Sequence, residues 1–110
     1  MDKKIRVMIA DDQVILAEGI RSVLETDPQL EVIGIAFDGF DALQKMEKDC
    51  PDVVLMDIRM PNMNGVVATQ SIKAKFPEVK VVILTTFDDS DYILNAINNG
   101  ASGYLLKDIG

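Results

Sequence analysis

The sequence predicts an α/β domain built on a doubly wound, five-stranded parallel sheet. Five apolar, β-branched-rich runs stand out, at Ile5–Ala10, Glu31–Phe37, Asp52–Met56, Lys80–Thr85 and Ser102–Leu106. Most are near-continuous rather than alternating, which suits strands covered on both faces. Their starts lie 26, 21, 28 and 22 residues apart. Each interval has room for a helix and two loops, so each connection reads as a right-handed crossover. At 110 residues the chain holds one domain core. A closed barrel of eight such units would need roughly twice that length.

The elements follow in order. After the first run, Leu16, Ile20, Val23 and Leu24 fall on one helical face, and Pro28 closes the segment. After the second, Leu43, Met46 and Cys50 repeat at three and four residues, with Asp38 or Asp41 as N-cap. The third interval carries Ala68, Ile72 and Phe76 at spacing four and stops at Pro77. The fourth opens with Asp88-Asp89-Ser90, carries Ile93, Ala96 and Ile97, and ends at Asn99-Gly100, a C-terminal cap pattern. Four helices thus serve five strands, and the chain stops three residues after Lys107.

Composition narrows the chemistry. Eighteen acids against eleven bases give a formal charge of −7, which argues against DNA, RNA or an anionic membrane as a direct partner of this segment. The acids are lopsided, with 13 Asp and 5 Glu, and Asp favours caps, turns and metal sites over helix interiors. The absence of histidine excludes Ser-His-Asp triads, His-ligated zinc or haem and any histidine general base. The single Cys50 excludes an internal disulfide or thiolate cluster and is expected to be an unreactive buried thiol beside Pro51. The N-terminal apolar stretch ends at Asp11, too short for a signal-peptide core. Runs such as Val81–Leu84 are four residues long, against the roughly 20 needed to span a bilayer. The expectation is a cytoplasmic protein in a reducing compartment.

Open parallel sheets bind ligands beyond the carboxyl ends of their strands. Asp11-Asp12 follow the first strand, Asp57 the third, Thr85-Thr86 end the fourth, and Lys107 follows the fifth. Three carboxylates at one edge repel one another unless a cation joins them, at about 4 kcal/mol for two charges about 4 Å apart in an effective dielectric near 20. An all-oxygen, partly open donor set suits Mg²⁺. A carboxylate, a divalent cation, a hydroxyl and a lysine together make a phosphoryl-transfer set with Asp57 attacking in line. Each residue alone has an ordinary explanation: a helix cap for Asp11-Asp12, a turn for Asp57, a solvated side chain for Lys107. Their occurrence at four strand ends favours a common site.

Ile9-Ala10-Asp11-Asp12-Gln13, Val53 to Pro61 with Asn64-Gly65, Ile83-Leu84-Thr85-Thr86, and Gly100 to Asp108 resemble the receiver domain of bacterial two-component response regulators. Their wording is most similar to regulators with a LuxR-type helix-turn-helix output domain. The resemblance implies a flavodoxin-like fold over residues 1–110, Asp57 as phosphoacceptor, Asp12 as direct Mg²⁺ ligand with Asp11 acting mainly through water, and the Arg59 backbone carbonyl completing the metal site. It implies that Lys107 pairs with Asp57 and later with the phosphoryl group, that Thr85 is the switch hydroxyl, and that Tyr104 is the switch aromatic. The implied partners are a sensor histidine kinase and, through an output domain beyond the chain, DNA. Lys107 is followed by Asp108 where many receivers carry proline, so a cis bond there is not expected. The family's last helix would follow Asp108; without it an apolar flank of the sheet invites a homodimer.

Two other classes share parts of this pattern. A flavodoxin-like electron carrier needs a Ser/Thr/Gly-rich phosphate loop where Asp11-Asp12 stand, and the chain has no Trp and two Tyr to flank a flavin. A dehalogenase-type phosphatase with an aspartyl nucleophile normally places Asp-x-Asp after the first strand, a spacing Asp11-Asp12-Gln13 lacks.

Overall fold

The computed structural model describes residues 4–58, 60, 62–85 and 97–106, and the side chains of all of these except Thr85 and Leu106. Five parallel strands, β1 (Ile5–Ala10), β2 (Leu30–Ala36), β3 (Val53–Asp57), β4 (Lys80–Thr85) and β5 (Gly103–Leu106), form one sheet in the order β2-β1-β3-β4-β5. Helices α1 (Val14–Leu24), α2 (Gly39–Lys48) and α3 (Gly65–Lys75) join them. The doubly wound α/β class read from the strand spacing is therefore the observed one, with the second strand at an outer edge. The helix expected to open at Asp88 lies outside the described residues up to Ala96. Its end is visible: Ile97 and Asn98 are helical, and Gly100 takes a left-handed φ of 109° while its N–H bonds the Ile97 carbonyl.

Strand pleating divides the apolar residues between two layers. Val7, Ile9, Leu55 and Leu84 point toward α1 and pack with Ala17, Ile20 and Leu24. Met8, Ala10, Val54, Met56, Val81 and Ile83 point the other way, onto Ala42 and Met46 of α2 and Ala68 and Ile72 of α3. Strand β2 joins both layers through an irregularity. Val7 pairs with Val32 but Met8 with Gly34, so one residue is skipped. That slip lets Val32 and Ile35 both face α1 while Ala36 faces the opposite layer.

Helix ends follow local chemistry. The Asp38 carboxylate caps α2 by accepting the Asp41 N–H at 2.8 Å, and Asp41 accepts the Phe37 N–H at 3.0 Å. Of the two candidates Asp38 is thus the N-cap, and Asp41 lies in the first turn of the helix. Asn64 caps α3 by accepting the Val67 N–H, and Phe76 ends that helix one residue before Pro77. Cys50 departs from expectation. Helix α2 stops at Lys48, so the three-and-four repeat does not carry Cys50 into the core, and the residue is exposed. Partial desolvation, with Asp52 nearby, still pushes its thiol pKa up, which keeps it protonated at neutral pH. Among the described residues no helix is long and apolar enough to cross a membrane.

Ile72 is fully buried between α3 and the sheet, whereas Val67 on the same helix is 45% exposed. Ile72→Ala is expected to lower the unfolding free energy by about 2–5 kcal/mol, and Val67→Ala by about 0.5 kcal/mol or less. Urea denaturation of the two variants measures the difference.

Candidate functional site

Strand register builds the site. Ala10 pairs with Met56 on neighbouring strands β1 and β3, so the next residues, Asp11 and Asp57, leave the sheet side by side. Pleating puts both on the face shared by Ile9 and Leu55. Asp12 follows directly. Ligand oxygens of Asp11, Asp12 and Asp57 all lie within 4.8 Å of one another. Asp11 is completely buried, Asp57 is 6% exposed, and Asp12 is open to solvent. At that separation two buried carboxylates repel by several kcal/mol in a medium of effective dielectric near 20.

Helix capping does not account for the acid pair. The N-cap of α1 is Gln13, whose side chain makes no capping bond, and the first turn of α1 carries no acid. Asp11 Oδ1 instead accepts the Gln13 N–H at 2.9 Å. Its N–H donates to the Ala36 carbonyl of β2, fixing the start of the loop to the sheet. Two fixed, buried oxygen donors beside one exposed carboxylate fit a hard divalent cation that keeps water in its shell. The donor set therefore fits Mg²⁺ through Asp11, Asp12 and Asp57.

The segment after Asp57 is held close. Gly65 opens α3 directly against the end of β3: an added Cβ would lie 2.4 Å from the Asp57 carbonyl oxygen and 2.8 Å from the Ile58 Cα. Only glycine allows this approach. The Gly65 N–H donates to the Ile58 carbonyl at 2.8 Å, and buried Thr69 donates its hydroxyl to the Gly65 carbonyl at 2.7 Å. Asn62, in the same segment, takes a left-handed φ of 66° and donates from Nδ2 to Asp38 Oδ2 at 2.8 Å. Sequence reading missed Asn62. An Asn directly after Pro61, in the stretch Pro-Asn-Met-Asn-Gly, is a turn residue that tolerates the left-handed region, but nothing in the sequence joins it to Asp38. Donation from Asn62 and from the Asp41 backbone holds the Asp38 carboxyl below the usual carboxylate range.

Of the residues expected at the site, the structure brings Asp11, Asp12 and Asp57 together. Tyr104 is on β5, paired in register with Ile83, and is about half exposed. The Thr85 backbone ends β4; its side chain, Arg59, Thr86, Phe87 and Lys107 lie outside what is described.

A five-stranded parallel sheet in the order 2-1-3-4-5, with three aspartates converging beyond its first and third strands, is a flavodoxin-like, receiver-type architecture. The family model of the response regulator receiver domain matches residues 7–110, and the chain belongs to that family. It is 50% identical over 105 residues to the transcriptional regulatory protein LnrK of Bacillus subtilis, covering 96% of this chain and 48% of that protein. It is 43% identical over 108 residues to the transcriptional regulatory protein DegU of Brevibacillus brevis, covering 98% and 46%. The chain thus spans about half the length of these relatives. The crystal structure of a LuxR-family two-component response regulator from Aurantimonas sp. superposes with a TM-score of 0.90 at 33% identity, covering 96% of this chain and 76% of that one.

A carboxylate whose pKa is lowered by folding stabilises the fold above its unfolded value, and the contribution is lost as pH falls through the folded value. Asp38 is such a group. The stability advantage of the wild type over Asp38→Ala is therefore expected to be full at pH 7 and to shrink once pH falls below about 4. Denaturant midpoints at pH 7, 5 and 3 test this; an advantage that grows toward pH 3 contradicts it.

Proposed function

We propose that the chain is a phosphorylation-operated switch, in which Asp57 takes a phosphoryl group from a sensor histidine kinase in a Mg²⁺-dependent reaction. The observation that carries this reading is the convergence of Asp11, Asp12 and Asp57 within 4.8 Å at the ends of β1 and β3. A carboxylate is a weak nucleophile, so the site's contribution is position and charge. Asp57 is nearly buried at a strand end, which fixes its carboxylate for in-line attack. Asp12 would hold the cation directly and Asp11 mainly through water, with the Arg59 backbone carbonyl as a further ligand. Bound Mg²⁺ supplies charge neutralisation on the equatorial phosphoryl oxygens. Lys107 shares that neutralisation. The chain has no histidine, so a phosphohistidine donor belongs to another molecule.

The response is proposed to run through Thr85 and Tyr104. Phosphoryl oxygens draw in the Thr85 hydroxyl, and Tyr104 rotates into the space vacated. Residues 1–110 would then be the receiver half of a cytoplasmic regulator whose DNA-binding output domain lies beyond them, in keeping with the transcriptional regulators it resembles over about half their length. The flavin-carrier and phosphatase readings have no comparable support: the crowded carboxylates repel a flavin phosphate, and the acids do not adopt the Asp-x-Asp spacing of those phosphatases.

Self-association has its own basis. Leu105 of β5 pairs in register with Leu84 on the α1 side of the sheet and is 53% exposed, while Val53 and Val82 on that side are only partly buried. Such an apolar strip favours a homodimer. Light scattering is expected to show a concentration-dependent rise toward twice the monomer mass, reduced in Leu105→Glu; a constant monomer mass overturns the dimer.

With acetyl phosphate and Mg²⁺, intact-mass spectrometry is expected to show one added phosphoryl group that hydroxylamine removes. Asp57→Ala is expected to abolish it, and an unchanged adduct in that variant overturns the assignment. Asp12→Ala is expected to raise the Mg²⁺ needed for half-maximal rate by about tenfold or more.

A further inference from the structure

We propose that the Asp38–Asn62 hydrogen bond is a positioning latch that holds the backbone leaving Asp57 in the conformation needed to accept a phosphoryl group. The inference rests on the reading of Asp57 as phosphoacceptor. Seven residues separate Asp57 from Gly65, and the segment is tied at both ends. At its base Gly65 abuts the Asp57 carbonyl, and its N–H bonds the Ile58 carbonyl. At its far side Asn62 reaches across to Asp38 at the start of α2, 24 residues away in sequence. Met63 then closes over Gly39, where an added Cβ would lie 2.6 Å from its sulfur.

The anchor is firm. Asp38 uses one carboxylate oxygen for the Asp41 N–H and the other for Asn62. Asp41 in turn accepts from Phe37 and from Lys45, and Lys45 also donates to the Ile35 carbonyl of β2. The latch thus ties the segment after β3 to the end of β2 through side-chain and backbone hydrogen bonds.

Stability is a poor reason for this arrangement. The Asn62–Asp38 bond is exposed, and exposed polar pairs contribute little. Asn62 is also the only non-glycine with positive φ among the described residues, a backbone region that glycine occupies at lower cost. A left-handed asparagine whose one side-chain bond crosses to the loop after β2 fits a role in placing the segment. Asn62 touches neither metal nor phosphoryl group in this role. It acts through the backbone.

Four forms of the full chain test the latch: wild type, Asn62→Gly, Asn62→Asp, and Asp38→Asn combined with Asn62→Asp. Asn62→Gly keeps the left-handed backbone and removes the bond. Asn62→Asp opposes two carboxylates. The double variant restores a bond of reversed polarity, because Asn is also an N-cap and its amide can donate to the new carboxylate. Asn62→Gly and Asn62→Asp are expected to raise the Mg²⁺ concentration for half-maximal phosphorylation by acetyl phosphate about tenfold, while Asn62→Gly, which adds no charge, is expected to keep the thermal midpoint in metal-free buffer within a few degrees of wild type. Amide exchange of Met63, Asn64 and Gly65 in the metal-free protein is expected to quicken in both. The double variant should return both readouts to near wild type. Wild-type values in Asn62→Gly, or no recovery in the double variant, overturn the latch. A wild-type chain that forms no hydroxylamine-labile adduct overturns the phosphoacceptor reading instead, while amide exchange still reports on the latch by itself.

Discussion

The arrangement of this domain turns on one electrostatic constraint: two buried carboxylates, Asp11 and Asp57, held side by side by strand register. Ala10 and Met56 are paired, so both aspartates leave the sheet on the face that buries Ile9 and Leu55. Like charges within 4.8 Å in a partly desolvated edge cost several kcal/mol in a medium of effective dielectric near 20. A cation relieves that cost, and so does any positive group brought to the edge. The site is therefore poised for ligands that change the balance of charge there.

The remaining features hold that edge still. The Asp11 N–H is bonded to β2, Gly65 lets α3 begin against the Asp57 carbonyl, and the Asp38–Asp41 pair fixes the start of α2. Helix N-termini carry partial positive charge, so Asp38 and Asp41 are tolerated at α2 although the net charge is −7. The aspartate excess thus has two functions on one side of the sheet. Some carboxylates gather at the cation site, and others order the loops around it.

Much of this was legible in the sequence because it rests on periodicity and local chemistry. Continuous apolar runs gave strands within one residue of Leu30–Ala36 and Gly103–Leu106, and β-α alternation gave their parallel sense. Asp11, Asp12 and Asp57 were legible because each follows a strand, and all such positions meet at one edge. Three things were hidden. The skipped residue in β2 depends on which layer needs Val32 and Ile35, which only packing decides. Cys50 fits the helical period of Leu43 and Met46, but Asp49 takes an extended φ of −152° and ends the helix first. Asn62 and Asp38 meet only because β1 lies beside β3 while β2 lies beyond it, bringing together loops that follow different strands.

The same alternation that assembles the acid site couples it to the opposite layer. Along β5, Tyr104 pairs in register with Ile83 on the α3 side, and Leu105 with Leu84 on the α1 side. Adjacent residues on one strand therefore face the two layers. On the proposed mechanism Tyr104 rotates on the α3 side of β5, while half-exposed Leu105 stands next to it on the α1 side. The path from the acid site to the aromatic is short, because β5 is hydrogen-bonded to β4, whose neighbour β3 ends in Asp57.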